Sequence, residues 1–240
     1  MTGSRASRSE HGAGNSIMTL IKICGLRQPE HAVAAAEAGA DLLGMVFVPG
    51  VRRRIAVEQA REIVQTVRGH RGPNAPKLVG LFSDQPVSEV NETIAAVGLD
   101  HVQLCGRESL DDCGNVAVPP LKVLHVRSDR PKAQTLAEMD AGLVDLNAAG
   151  WLAILDKQSD LQPGGVGETF DWTIAAELAR RGRRFLLAGG LTPQNVAEAA
   201  RSVRPIGVDV SSGVETGGVK DVAKIRAFIS AVHSTAGSLG

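Results

Sequence analysis

Eight short apolar runs recur along this chain, each bounded by Gly, Pro, Asp or Ser, and that recurrence limits what it can fold into. The runs lie at residues 20–24, 42–47, 78–82, 101–104, 122–126, 152–156, 185–188 and 207–210. Their length and composition are those of buried strands. Between them lie segments with helical spacing at 29–38, 57–67, 87–97, 170–180, 192–200 and 222–232. Residues 127–150 carry a weaker helical signal at 133–139 and 145–149. Strand–helix alternation is the signature of α/β folds, and eight units in one chain predict a closed (β/α)₈ TIM barrel. An open doubly wound sheet is the alternative. A chain of 240 residues with 43% hydrophobic content suits either as one domain.

The totals exclude several functions. Lys+Arg and Asp+Glu both number 26, so the formal net charge is zero, which argues against a nucleic-acid or membrane-surface binder. Aromatics are 3% of residues and Tyr is absent, which leaves no platform for stacking bases. The three cysteines, Cys24, Cys105 and Cys113, show neither disulfide pairing nor metal-ligand spacing, so a reducing cytoplasm and no metal are expected. No G-x-G-x-x-G or Walker A sequence occurs, so no nucleotide cofactor is implied. Residues 1–17 are polar and read as a disordered extension, with residues 18–233 forming the barrel and 234–240 a flexible tail.

In a barrel, chemistry gathers where the strands finish. Strand 1 delivers Cys24, strand 2 the run Arg52-Arg53-Arg54, strand 4 Gln103 and Cys105, and strand 6 Asp156. Strand 7 delivers Gly189, Gly190 and Leu191, and strand 8 delivers Ser211, Ser212 and Gly213. The last two loops are a candidate phosphate site: glycines expose backbone N–H groups, hydroxyls add donors, and this fold commonly binds phosphate after strands 7 and 8. Thr192 is expected to cap the next helix, with Pro193 at its first position.

Cys24 shares a strand face with Lys22, and a nearby cation favours a reactive thiolate. A cysteine in an apolar strand, taken alone, reads first as a small buried hydrophobe. Asp156 reads either as a turn residue or as a general acid whose carboxyl is raised by burial. Around the ring, Asp156 and Cys24 fall on either side of the phosphate loops, which suits proton transfer at two places on one phosphorylated sugar. One of the three arginines could clamp a carboxylate, with the other two solvated. Asp209 has the strand-face parity of Ser211 and is expected to pair with Lys22, since strands 8 and 1 adjoin.

These residues resemble a known family. Lys22-Ile23-Cys24-Gly25, Phe47-Val48-Pro49, Val102-Gln103-Leu104, Leu155-Asp156 and the stretch from Gly164 to Trp172 all look like phosphoribosylanthranilate isomerase. So do Leu187-Ala188-Gly189-Gly190-Leu191-Thr192-Pro193, Val208-Asp209-Val210-Ser211-Ser212-Gly213-Val214-Glu215 and Gly218-Val219-Lys220-Asp221. The resemblance implies an Amadori rearrangement of N-(5-phosphoribosyl)anthranilate in tryptophan biosynthesis, without cofactor or metal. It implies Cys24 as general base, Asp156 as general acid and Arg53 as the anthranilate-carboxylate arginine. The expected partner is that phosphosugar–anthranilate molecule, bound by a monomer or a homodimer. The chain departs from the family at Cys105, where His is usual, near Val51, where Ser is usual, and at Val166, where Thr is usual.

Overall fold

The computed structural model describes residues 19–157 and 171–235. Expectations for residues 1–17, for the segment holding Val166 and for the end of the tail therefore lie outside the described residues. Eight parallel strands form a closed barrel in chain order: β1 (Leu20–Ile23), β2 (Leu42–Val46), β3 (Lys77–Phe82), β4 (His101–Leu104), β5 (Pro120–Val126), β6 (Leu152–Lys157), β7 (Phe185–Leu187) and β8 (Gly207–Val210). Outside them run α1 (Pro29–Ala38), α2 (Val57–Arg71), α3 (Val87–Val97), α4 (Leu110–Asn115), α5 (Lys132–Ala148), α6 (Trp172–Arg180), α7 (Val196–Val203) and α8 (Val222–His233). The open-sheet alternative is excluded, because β1 pairs with both β2 and β8.

The helices begin and end where the chain's chemistry dictates. Pro29 opens α1, where its missing N–H costs nothing, and Gly39 closes it at φ +103. Ser109 and Asp112 form a reciprocal capping box on α4. That helix is only six residues long, so no periodic pattern marks it in the sequence. The two weak signals within residues 127–150 belong to one continuous helix, α5.

The barrel has two apolar shells. Side chains such as Ile21, Ile23, Leu43, Met45, Phe82 and Phe185 pack between strands and helices. Leu42, Val46, Val79, Leu121, Ile154 and Leu186 fill the inside. Alternation along each strand sends neighbours to opposite shells. This parity sends Lys22 of β1 and Asp209 of β8 inward, and the two are register partners.

One helix start differs from expectation. α7 begins at Val196 with Asn195 at its cap position, not at Thr192 and Pro193. Asn195 Oδ1 accepts from the Thr192 amide at 2.8 Å, and Asn195 Nδ2 donates to the Gly190 carbonyl at 3.0 Å. These bonds close residues 190–195 into a turn of their own before the helix can start. A short hairpin, β9 (Glu215–Thr216) with β10 (Val219–Lys220), also stands between β8 and α8.

Candidate active site

Cys24 follows β1 and is 5% exposed. Its amide donates to the Val210 carbonyl at 2.8 Å, and its carbonyl accepts from Ser211 Oγ at 3.3 Å. The backbone of Cys24 is therefore tied to the end of β8 and the loop that follows it. Gly44 makes room for the thiol: a β-carbon there would stand 3.1 Å from Cys24 Sγ. Burial pushes the thiol up from its ordinary value. Lys22 and Lys220 oppose that shift, and Asp209 adds to it. The cation effect expected from Lys22 is thus real, but burial outweighs it.

Lys22 is fully buried, and its Nζ donates to Asp209 Oδ1 at 2.9 Å, the pairing expected from strand parity. Burial opposes the charge on Lys22, yet Asp209 and the Cys24 thiol hold its titration above the ordinary range. An unpaired ammonium at this depth would lose its proton instead.

Asp156 lies in β6 beside His125 of β5. Burial, reinforced by the Asp209 charge, raises its carboxyl to about 6, while His125 and Lys22 pull the other way. It also touches the next loop, since a β-carbon on Gly189 would stand 3.1 Å from Asp156 Oδ1 and 2.9 Å from the Lys157 amide. Gly189 and Gly190 both hold left-handed φ values, +82 and +69, that larger residues avoid. The loops after β7 and β8 meet directly. A β-carbon on Gly213 would fall 1.9 Å from the Leu191 carbonyl oxygen. Ser212 to Val214 form a short 3₁₀ turn, the kind of extra turn that holds phosphate beside such loops.

The structure thus brings Asp156, Gly189, Gly190, Leu191, Ser211, Ser212, Gly213 and Cys24 to one end of the barrel. Arg53 joins them as the half-buried member of the arginine run, with 22% of its side chain exposed. Arg52 is exposed but not merely solvated, because it donates to Glu215 and to the Gly218 carbonyl. Arg54 is exposed. Gln103 and Cys105 complete the mouth on the β4 side, with Gln103 Nε2 donating to Cys105 Sγ at 3.3 Å. Burial raises the Cys105 thiol to about 12, which keeps it neutral. Among the described residues no group of three His, Cys, Asp or Glu side chains could hold a metal ion, and no helix is long and apolar enough to cross a membrane.

Two residues of the site, Glu215 and Lys220, have no role that the sequence alone assigns. Glu215 bonds to Arg53, Arg52 and Lys220 at 2.7–2.9 Å. Only the motif match around them marked the pair.

Known proteins resemble this chain in sequence and in fold. The family described as N-(5'-phosphoribosyl)anthranilate (PRA) isomerase matches residues 21–231. The protein named N-(5'-phosphoribosyl)anthranilate isomerase from Roseiflexus castenholzii is 46% identical over 219 residues, covering 90% of this chain and 99% of its own. Phosphoribosyl anthranilate isomerase from Thermotoga maritima superposes with a TM-score of 0.77 at 34% identity, covering 90% of this chain and 100% of that one. A further phosphoribosyl anthranilate isomerase, solved with reduced 1-(o-carboxyphenylamino)-1-deoxyribulose 5-phosphate, superposes with a TM-score of 0.73 at 32% identity, covering 90% and 100%.

Proposed function

The chain belongs to the N-(5'-phosphoribosyl)anthranilate isomerase family of tryptophan biosynthesis, and on that premise we propose that Cys24 and Asp156 divide the proton transfers of its reaction. The substrate on this reading is N-(5-phosphoribosyl)anthranilate, and the ligand of the solved relative is a reduced form of the product. The observation that carries the reading is the bracketing of the phosphate loops: Asp156 lies against Gly189 on one side and Cys24 against Ser211 on the other.

Gly189, Gly190, Leu191, Ser211, Ser212 and Gly213 hold the phosphate with backbone and hydroxyl donors. The anchored sugar then spans the mouth between acid and base. Asp156 gives its proton to the furanose ring oxygen, and the ring opens to an iminium ion. A carboxyl raised to about 6 remains protonated in roughly a tenth of molecules at pH 7, against well under 1% for an ordinary aspartate. Cys24 as thiolate takes the C2 proton, and the electron pair left behind neutralises the iminium as an enolamine. Tautomerisation to the ketone completes the Amadori rearrangement. Lys22 and Lys220 both favour the thiolate that this step requires. Arg53 binds the anthranilate carboxylate.

Turnover of phosphoribosylanthranilate generated in situ, followed by loss of its fluorescence, tests the reading. The purified chain should consume it without added metal or nucleotide. No turnover, with inorganic phosphate still bound, would make this a phosphate-binding barrel without the activity.

A further inference from the structure

Arg53 reaches the mouth by lying across Gly25. A β-carbon on Gly25 would stand 2.6 Å from Arg53 Cδ and 3.1 Å from Ser211 Oγ, and Gly25 itself adopts φ +75. One edge of the guanidinium is already committed in this structure. Nε donates to Glu215 Oε1 at 2.7 Å and Nη2 to Glu215 Oε2 at 2.9 Å. This is a fork-to-fork pair, the geometry that fixes an arginine in orientation as well as in place.

Glu215 is in turn held from two other directions. Lys220 Nζ donates to Oε1 at 2.8 Å, and Arg52 Nη2 donates to Oε2 at 2.8 Å. Lys220 is 6% exposed and also donates to the Ser211 carbonyl at 2.8 Å, which ties the β9–β10 hairpin to the end of β8. Arg52 Nη1 reaches the Gly218 carbonyl at 2.7 Å, and a β-carbon on Gly218 would stand 2.1 Å from that same nitrogen. Lys224 Nζ holds the Glu215 carbonyl at 2.8 Å. Burial works against ionising Glu215, yet Arg53, Lys220 and Arg52 together hold its carboxyl far below the usual range. A carboxylate so engaged neither donates a proton nor swings away.

We propose that Glu215 is a positioning residue: by gripping the Nε edge of Arg53, it presents the remaining guanidinium N–H groups, preorganised, to the aromatic carboxylate of the substrate. The proposal rests on the assignment of Arg53 made above. Without the grip, a long flexible side chain would be immobilised only as substrate binds, and that ordering is subtracted from affinity.

The test compares two phosphate ligands by calorimetry, N-(2-carboxyphenyl)- and N-phenyl-1-amino-1-deoxyribitol 5-phosphate. In the wild type the carboxylate should tighten binding about tenfold or more, as a charge-assisted pair does. Arg53→Ala should abolish that preference. Glu215→Gln should cut it by about 3- to 10-fold while leaving the affinities for the phenyl ligand and for inorganic phosphate unchanged. Glu215→Asp, which keeps the charge but shortens the reach, should also reduce the preference and serves if the glutamine variant does not fold. If Arg53→Ala retains the preference, the Arg53 assignment fails and this proposal with it. If Arg53→Ala abolishes it but the Glu215 variants keep the wild-type ratio, positioning by Glu215 is overturned while the Arg53 assignment stands. Equal weakening of both ligands in the Glu215 variants would make Glu215 a general support of the mouth and would also overturn the proposal.

Discussion

At the scale of single residues, the proposed acid and base titrate in an inverted order. Asp156 is raised to about 6, and the Cys24 thiol is raised above its ordinary value, so the acid titrates below the base. The form that the proposed mechanism requires, protonated Asp156 beside Cys24 thiolate, is then a minority at every pH. The sign of its pH dependence follows. Below about pH 6 the thiolate falls tenfold per unit while the acid gains little, so kcat/KM falls. Between the two titrations one group gains what the other loses, which gives a plateau. Above the thiol titration only the acid is lost, and kcat/KM falls again. A rate profile with a limb near pH 6 and a flat centre is expected; a steady decline from pH 6 upward would contradict a buried thiol as base. The sequence made Cys24, Asp156 and the Lys22–Asp209 pair legible, because strand parity and ring order depend only on local alternation. It left Glu215, and its pairing with Arg53, without a role, since residues 162 positions apart meet through loops that no periodicity describes.

At the scale of elements, the seams between β7, β8 and β1 carry the site. Gly213 packs so closely on the Leu191 carbonyl that Gly213→Ala must push the loops after β7 and β8 apart. That variant should bind inorganic phosphate at least about tenfold more weakly with little change in the unfolding midpoint, as expected when a positioned site is displaced but no core is lost; unchanged phosphate affinity would remove these loops from phosphate binding. The β1–β8 seam also holds the buried Lys22–Asp209 ion pair. Asp209→Asn leaves an ammonium buried without its counter-charge and should cost about 3–5 kcal/mol in urea unfolding. A loss under about 1 kcal/mol would mean that Lys22 sheds its proton or finds solvent. Strand positions were legible to within one or two residues, and α1 and α3 have the bounds that their helical spacing predicts. The start of α7 was not, because Thr192-Pro193 mimics a helix opening while Asn195 supplies the bonds that decide it. α4 and the two-residue strands of the hairpin are too short for any pattern to mark.

At the scale of the whole molecule, closure of the barrel makes residues far apart in sequence into neighbours. β1 joins β8 across 187 positions, which places the backbone carbonyl of Cys24, after the first strand, against the Ser211 hydroxyl that follows the last. All the described barrel elements fall between residues 20 and 233, so we propose that residues 18–233 are the whole functional domain. A chain beginning at Met18 should then keep its kcat and unfold within about 0.5 kcal/mol of the full chain. A large loss of either would place part of the function in residues 1–17. The account as a whole stands on two groups transferring two protons at one mouth. Its most direct measurement is the turnover of phosphoribosylanthranilate by Cys24→Ser and Asp156→Asn at matched pH, with phosphate affinity measured in parallel. The account predicts that each loses about 10²- to 10⁴-fold in kcat while phosphate binding is kept. Near-normal turnover in either variant would contradict it.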